Sequence, residues 1–216
     1  MSAKPPGPHR AGARPSMPAG TNSSEDFECP LTVEAVSDVQ SWTEHLAAET
    51  GWTGRRGPID WPAVESLLGS PLPATYKSHA ETFGWGEFNN GSFEVFAATP
   101  DLAPGGLAGE ARRLAELVEM DGEFEELYAP HGLFPREGGL LIWGVTGRGD
   151  SLFWETAGAD PGEWPIVAIT EDDRAFSYRM EVSEFLFKCI ASGETGSFSI
   201  ASKVHRGSFI PIGSYG

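Results

Sequence analysis

Residues 140–155 read LLIWGVTGRGDSLFWE, and this stretch decides the fold of the 216-residue chain. Two apolar runs of strand length flank the polar segment TGRGDS, a pattern that predicts a β-hairpin. We expect Gly147 and Gly149 to adopt positive φ, and Asp150 to accept hydrogen bonds from backbone amides near its own position. The stretch therefore predicts two antiparallel strands joined by a tight turn.

The same turn contains two short patterns that occur in functional sites, and neither interpretation holds. A phosphate-binding glycine loop ends in lysine and serine or threonine and opens a helix, whereas here Asp150 puts a negative charge beside a predicted strand. Residues 148–151 spell the adhesive tetrapeptide RGDS, which needs an exposed loop on an exported protein. Residues 1–24 contain basic side chains but no apolar segment of a secretory signal. We interpret the stretch as a structural turn.

Further strands and a closing helix are predicted after this hairpin. Apolar or alternating runs separated by turn-forming segments predict an antiparallel meander with strands at 140–145, 152–156, 165–170 and 175–180. An apolar face with helical spacing then predicts a C-terminal helix from Val182, Phe185, Leu186, Cys189 and Ile190.

Helices dominate the first half of the chain. The pattern Ser37 to Gln40 is a capping box, and it predicts a helix that Gly51 ends. Asp60 and Gly69 bound a second helix, and Pro73 opens a third that ends at Gly84. A strand at 93–97 and a fourth helix follow, the latter with an apolar stripe of Leu107, Ala111, Leu114 and Val118.

This order of elements predicts an α+β fold with N-terminal helices, a central antiparallel β-meander sheet and a closing C-terminal helix. Residues 1–27 are rich in Pro and Gly and are predicted to be a disordered arm. Residues 28–192 form the predicted domain. Residues 193–216 are predicted to be a Gly/Ser-rich C-terminal extension that carries an apolar patch at 209–212.

The charge of the chain restricts its partners. It has 15 Lys and Arg against 31 Asp and Glu, a formal net charge of −16. Such a field repels phosphate backbones, so we expect no nucleic acid partner and favour a basic protein, although a surplus that only maintains solubility gives the same composition. No apolar run approaches the roughly 20 residues that span a bilayer, so no membrane partner is expected. Cys29 and Cys189 are interpreted as free thiols of a cytoplasmic protein.

Several short segments, in their order and spacing, resemble the SMI1/KNR4 family, also called the SUKH superfamily. They are 61–65 (WPAVE), 72–73, 76–77, 83–84, 143–146 (WGVT), 149–150, 152–154 (LFW), 164–165 and 183–186 (SEFL). The resemblance covers residues 36–192 and implies an α+β domain without catalytic activity. Bacterial members of the family commonly serve as cytoplasmic immunity proteins that neutralise toxins, often nucleases, and fungal members regulate cell-wall synthesis and signalling.

The residues that carry this resemblance have scaffold chemistry. Large aromatic side chains favour the core, and glycines provide backbone conformations that other residues adopt poorly. The predicted structural residues are Trp61, Tyr76, Gly84, Gly144, Gly149, Asp150, Trp154, Trp164 and Phe185, with Trp143 and Phe153 also assigned to the core.

Catalysis, cofactors and metals are not expected. The five histidines show neither the i, i+4 spacing of a helical metal pair nor a neighbouring cysteine ligand. His45 and His79 are predicted to be solvated on their helices, and His131 is a loop residue without an assigned role. An unrecognised hydrolase remains an alternative, and it would show a cleft with carboxylates of raised pKa.

Acidic side chains at helix ends and turns are the predicted partner-binding residues. Such positions vary without disturbing a core, and an acidic surface can occupy the groove where a nuclease toxin holds phosphates. The candidates are Glu116, Glu119, Asp121, Glu123, Glu125, Glu126, Asp160, Glu163, Asp172 and Asp173, with Glu171 beside the last pair. Three functions remain open: a toxin-neutralising immunity protein, a regulatory scaffold like the fungal relatives, and a hydrolase.

Overall fold

The computed structural model describes residues 40–121, 126–192 and 207–213, and they form an α+β fold, as predicted. The helices are α1 (Trp42–Thr50), α2 (Trp61–Leu68), α3 (Ala74–Thr82), α4 (Leu107–Met120) and α5 (Val182–Phe187), which continues as a π-helical turn over Lys188–Ser192. The strands are β1 (Gly86–Phe88), β2 (Phe93–Val95), β3 (Leu140–Thr146), β4 (Ser151–Glu155), β5 (Ile166–Ile169), β6 (Ala175–Tyr178) and β7 (Phe209–Pro211). A short 3-10 helix, Pro161–Glu163, precedes β5.

The strands form one antiparallel sheet in the order β6-β5-β4-β3-β2-β1-β7. The predicted hairpin of residues 140–155 is β3 and β4, at the centre of this sheet. Two strands were not predicted. β1 is joined to β2 through Asn89, Asn90 and Gly91, all at positive φ, and β7, from the predicted extension, pairs with β1 at the edge.

The central strands are buried on both faces, which explains their continuous apolar sequence. In β3, Leu141 and Trp143 join the large core beneath α1, α2, α3 and α5, whereas Leu140 and Ile142 join a smaller core on the opposite face. Helix α4 supplies Leu107 and Ala108 to the large core, and its Leu114 and Val118 pack against the smaller one.

The predicted start of α1 is wrong. The helix begins at Trp42, and its capping box joins Ser41 to Glu44, with the Ser41 amide donating to Glu44 Oε2 at 2.8 Å. The box predicted from Ser37 reaches outside the described residues. The Ser41 box has the same spacing, and its glutamate is a charged acceptor, whereas Gln40 in the predicted box is neutral. The predicted caps of α2 match the structure, since Asp60 accepts from the Ala63 amide at 3.2 Å and Gly69 is left-handed.

The turn between β3 and β4 has a different geometry from the one predicted. Gly149 has a φ of 92°, as expected, but Gly147 is not among the glycines with positive φ; a Cβ there would lie 2.5 Å from the Gly91 carbonyl oxygen. Asp150 is 5% exposed. Its carboxylate accepts from Thr146 Oγ1 at 2.7 Å and from the Glu171 amide at 3.1 Å, so it joins two turns and does not cap nearby amides. This burial also removes the carboxylate from any adhesive contact.

Candidate partner-binding surface

Eight of the ten predicted acidic side chains belong to the described part of the chain, and all eight are exposed. They are Glu116, Glu119, Asp121, Glu126, Asp160, Glu163, Asp172 and Asp173. Glu123 and Glu125 lie outside the described residues.

The acids of the meander do not form one patch. Asp160 and Glu163 precede β5, and Asp172 and Asp173 follow it, so the two pairs lie at opposite ends of a strand roughly 13 Å long. Asp172 also has local partners. It accepts hydrogen bonds from Thr170 Oγ1 at 2.6 Å and from Arg174. These two hydrogen bonds hold the pKa of Asp172 below its usual value. A single partner of modest contact area would engage one pair or the other.

Exposed apolar side chains instead gather around α4. Five large hydrophobic side chains are exposed in the described residues, and four of them lie on or beside this helix. They are Leu67 (41% exposed), Leu102 (43%), Met120 (76%) and Leu127 (38%), and the fifth is Ile210 on β7. We call these four residues, together with Glu116, Glu119, Asp121 and Glu126, the α4 surface.

Three adjoining depressions shape the α4 surface. The largest, of about 340 Å³, is an apolar groove between α2, α4 and residues 134–135, lined by Leu67, Leu68, Leu102, Ala108, Ala111, Arg112, Ala115, Phe134 and Pro135. A depression of about 250 Å³ shares Ala115 with it and contains Glu119. A third, of about 270 Å³, shares Leu102 and contains Glu110 and Glu116. Arginines line both smaller depressions as well, Arg136 in the one that contains Glu119, and Arg112 with Arg113 in the one that contains Glu116. The apolar centre therefore lies between depressions of mixed charge.

The C-terminal end of α4 is electronegative. Residues 101–137 contain nine Asp or Glu and three Arg, a difference of −6. Both arginines of the helix are paired, Arg112 with Glu116 at 2.7 Å and Arg113 with Glu110 at 2.8 Å. The last turn contains no basic residue to offset the helix dipole, so its partial negative charge adds to that of Glu119.

A second acidic depression lies between α3, α5 and the 3-10 helix. It measures about 320 Å³ and is lined by Trp42, Thr75, Gly162, Glu163, Trp164, Arg179, Met180, Glu181 and Glu184. Burial raises the pKa of Glu181, and the Glu184 charge raises it further, while a hydrogen bond with Thr75 acts against both. Glu184 is paired with Lys188 at 2.7 Å. The lining offers no serine, cysteine or histidine as a nucleophile or a second base.

The prediction that His79 is solvated is wrong. The side chain is fully buried, and its Nδ1 lies 2.9 Å from Ser183 Oγ, which is 3.0 Å from Thr43 Oγ1. Burial lowers the pKa of His79 to about 3. This chain of polar groups ties α3 to α5 and α1, and it has no access to substrate, so it is structural.

The other two helix and loop histidines are also held by neighbours. His45 is half-buried between Trp42 and Phe187, with ring centroids 5.4 and 6.0 Å away. His131 places Nδ1 3.1 Å from Glu155 Oε1. His45 therefore packs against aromatic rings, and His131 faces a carboxylate.

The residues that carry the family resemblance lie in or against the core. Six of their aromatic side chains are buried, namely Tyr76, Trp143, Phe153, Trp154, Trp164 and Phe185. Trp61 is half-buried and donates from Nε1 to Glu81 Oε1 at 2.7 Å. Gly84 has a φ of 72°, whereas Gly144 is required for another reason: a Cβ would lie 2.5 Å from the Glu94 carbonyl oxygen, where β3 has a bulge.

Comparison of the chain with models of protein families, with curated proteins and with solved structures finds no match. The resemblance to the SMI1/KNR4 family therefore stays a prediction. In the described residues, no helix has the length and apolar character to cross a bilayer. The same residues contain no group of three or more His, Cys, Asp or Glu side chains placed to hold a metal ion.

Proposed function

We propose that this protein is a non-enzymatic binding module that takes a basic protein partner on its α4 surface. The observation that carries the proposal concerns the exposed large hydrophobics of the described residues: four of these five gather around α4, the helix that also carries exposed glutamates. Apolar side chains that remain exposed in a cluster mark interaction sites. The carboxylates beside them select the sign of the partner's charge.

The kind of partner follows from the charge and the family resemblance together. A chain with a net charge of −16 is attracted to basic proteins over distances of about a Debye length. Nuclease toxins are basic where they hold phosphates, and an acidic protein surface can block that groove. We therefore propose a bacterial immunity protein that neutralises a toxin, with a nuclease as the favoured class.

Association kinetics test this proposal. The probe is the product of the open reading frame that adjoins the gene, and its association rate is measured as ionic strength increases. We expect a steep decrease, and we expect Glu119→Lys with Glu126→Lys to slow association about tenfold or more at low salt. Both residues are exposed, so thermal stability should remain within about 0.5 kcal/mol of the wild type.

A matched pair of charge reversals provides the control. Glu163→Lys with Glu171→Lys makes the same change of charge at the two ends of β5, on side chains that are also exposed. Association should slow much less for this pair. Equal slowing by both pairs, or a rate that does not depend on salt, would show that the α4 surface is not the binding site.

A hydrolase is the second candidate, because Glu181 has a raised pKa in a cleft with two further glutamates. Such a carboxyl can act as a general acid. A panel of chromogenic ester, glycoside and phosphate substrates tests this function with the wild type and Glu181→Gln. Turnover that disappears in the variant supports the hydrolase, and absence of turnover in both leaves the binding module.

A further inference from the structure

The apolar groove beside α4 has a floor of small side chains and walls of large ones. Ala108, Ala111 and Ala115 lie at i, i+3 and i+7 on one face of the helix, and Leu67 and Phe134 are among the large side chains that line the same groove. The floor extends over seven residues of α4, or about 10 Å. Alanine floors allow a second helix to approach at the short end of the usual 8–10 Å interaxial range.

The walls of the groove are more exposed than a packed helix interface would leave them. Leu67 and Leu102 are 41% and 43% exposed, and both face the same groove. Single exposed leucines are common on monomeric proteins, but two that line one concave apolar surface are typical of a docking site. The volume of about 340 Å³ is enough for a few apolar side chains.

We infer that this groove receives the apolar face of one amphipathic helix from the basic partner, an inference that rests on the proposed function. Anchors spaced at i, i+3, i+4 and i+7 would lie along the alanine floor. Exposed Glu119 adjoins the groove, and residues 101–137 around it contain nine Asp or Glu against three Arg. Charge complementarity therefore places lysine or arginine on the edges of the docked helix.

Helical model peptides test the groove without knowledge of the partner. The probe is a fluorescently labelled 14-residue peptide of leucine and lysine with helical periodicity, and its control replaces every lysine with glutamate. Binding is measured by anisotropy, and the site is mapped by amide chemical shifts. We expect the lysine peptide to bind and to shift the amides of Ala111 and Ala115, and the glutamate peptide not to bind.

Variants of the groove walls connect this binding to named residues. The double variant Leu67→Ser with Leu102→Ser changes two side chains that are partly exposed in the folded protein. We expect this variant to weaken peptide binding about tenfold or more. Ala115→Gln, on a half-buried position, fills the floor and provides a second variant if the first one unfolds. Ile210→Ser is the matched control, because Ile210 is 50% exposed on β7, three strands away from β3.

The outcomes separate this inference from the proposed function. Unchanged peptide affinity in the folded wall variants, or equal binding of the glutamate peptide, overturns the groove. If those variants keep full affinity while the Glu119 and Glu126 reversals slow the partner, the acidic surface stands and the groove does not. If the wall variants lose the peptide while the reversals leave the partner's association unchanged, the groove stands and the charge-driven function fails.

Discussion

His79 should make the stability of this protein depend on pH in a way that one substitution removes. Its ring is fully buried, and burial lowers the pKa of His79 to about 3. In the unfolded chain the same group titrates near its ordinary pKa of about 6.5. As the pH falls below that value, only the unfolded state gains the proton, so stability is lost progressively down to the folded pKa.

The size of the effect follows from the two pKa values. Linkage gives a loss of about 1.4 kcal/mol between pH 7.5 and pH 5.5, and about 2.7 kcal/mol by pH 4.5. Glutamine in place of His79 keeps a polar group near Ser183 but does not titrate. The free energy of unfolding of the wild type should therefore fall, relative to that of His79→Gln, by about 2.7 kcal/mol over this range.

Urea denaturation at pH 7.5, 6.5, 5.5 and 4.5 measures this difference. Glu65 and Asp172, whose pKa values are lowered, and Glu181, whose pKa is raised, titrate in both proteins and cancel in the comparison. The ring protons of His79 should also show no titration by NMR down to about pH 4. Parallel stability curves for the two proteins, or a ring that titrates near pH 6.5, would refute the assignment of a neutral buried histidine.

Three further substitutions test other parts of the fold. Asp150→Ala removes the acceptor of two hydrogen bonds that join turns, and it should lower the free energy of unfolding by about 3 kcal/mol in chemical denaturation. Arg148→Ala, at an exposed neighbour, should change it by less than about 0.5 kcal/mol, and similar values for both variants would show that the Asp150 hydrogen bonds do not stabilise the fold. Gly144→Ala should cost about 1–3 kcal/mol, because its Cβ would lie 2.5 Å from the Glu94 carbonyl oxygen, and an unchanged melting temperature would contradict that contact. Phe209→Ala should cost about 3 kcal/mol or more, since the ring is 9% exposed in the core, whereas a negligible cost would place β7 outside the cooperative fold.

The central sheet could be predicted because its signals are local. Residues 140–155 are apolar on both faces of each strand, and the turn between them has the glycine that its positive φ requires. β1 and β7 have only three residues each, too few for a periodic pattern. β7 also pairs with β1 across more than a hundred residues of sequence, which no local pattern reports.

The burial of His79 can be predicted from its position in the sequence. It lies three residues after Tyr76 and four before Phe83, so it belongs to the apolar face of α3. Helical position therefore decides the burial of this side chain, and its polar type does not. The burial of Asp150 is different, because its partner amide at Glu171 is brought close only by the pairing of β4 with β5.

The sequence predicts which acidic residues are exposed, but it does not predict which of them lie beside an apolar groove. From the sequence alone, Asp172 and Glu119 are equal candidates. In the structure, Asp172 is hydrogen-bonded by Thr170 and Arg174 within its own turn. Glu119 instead lies in a depression that adjoins exposed apolar side chains. An exposed carboxylate contributes little to affinity unless apolar contacts beside it exclude water. The α4 surface combines exposed carboxylates with exposed large apolar side chains, because the packing of α4 against α2 creates a groove that no segment of the chain encodes alone. Binding should therefore respond to charge reversal at Glu119 and to polar substitution at Leu102, and it should be nearly insensitive to either change at the ends of β5.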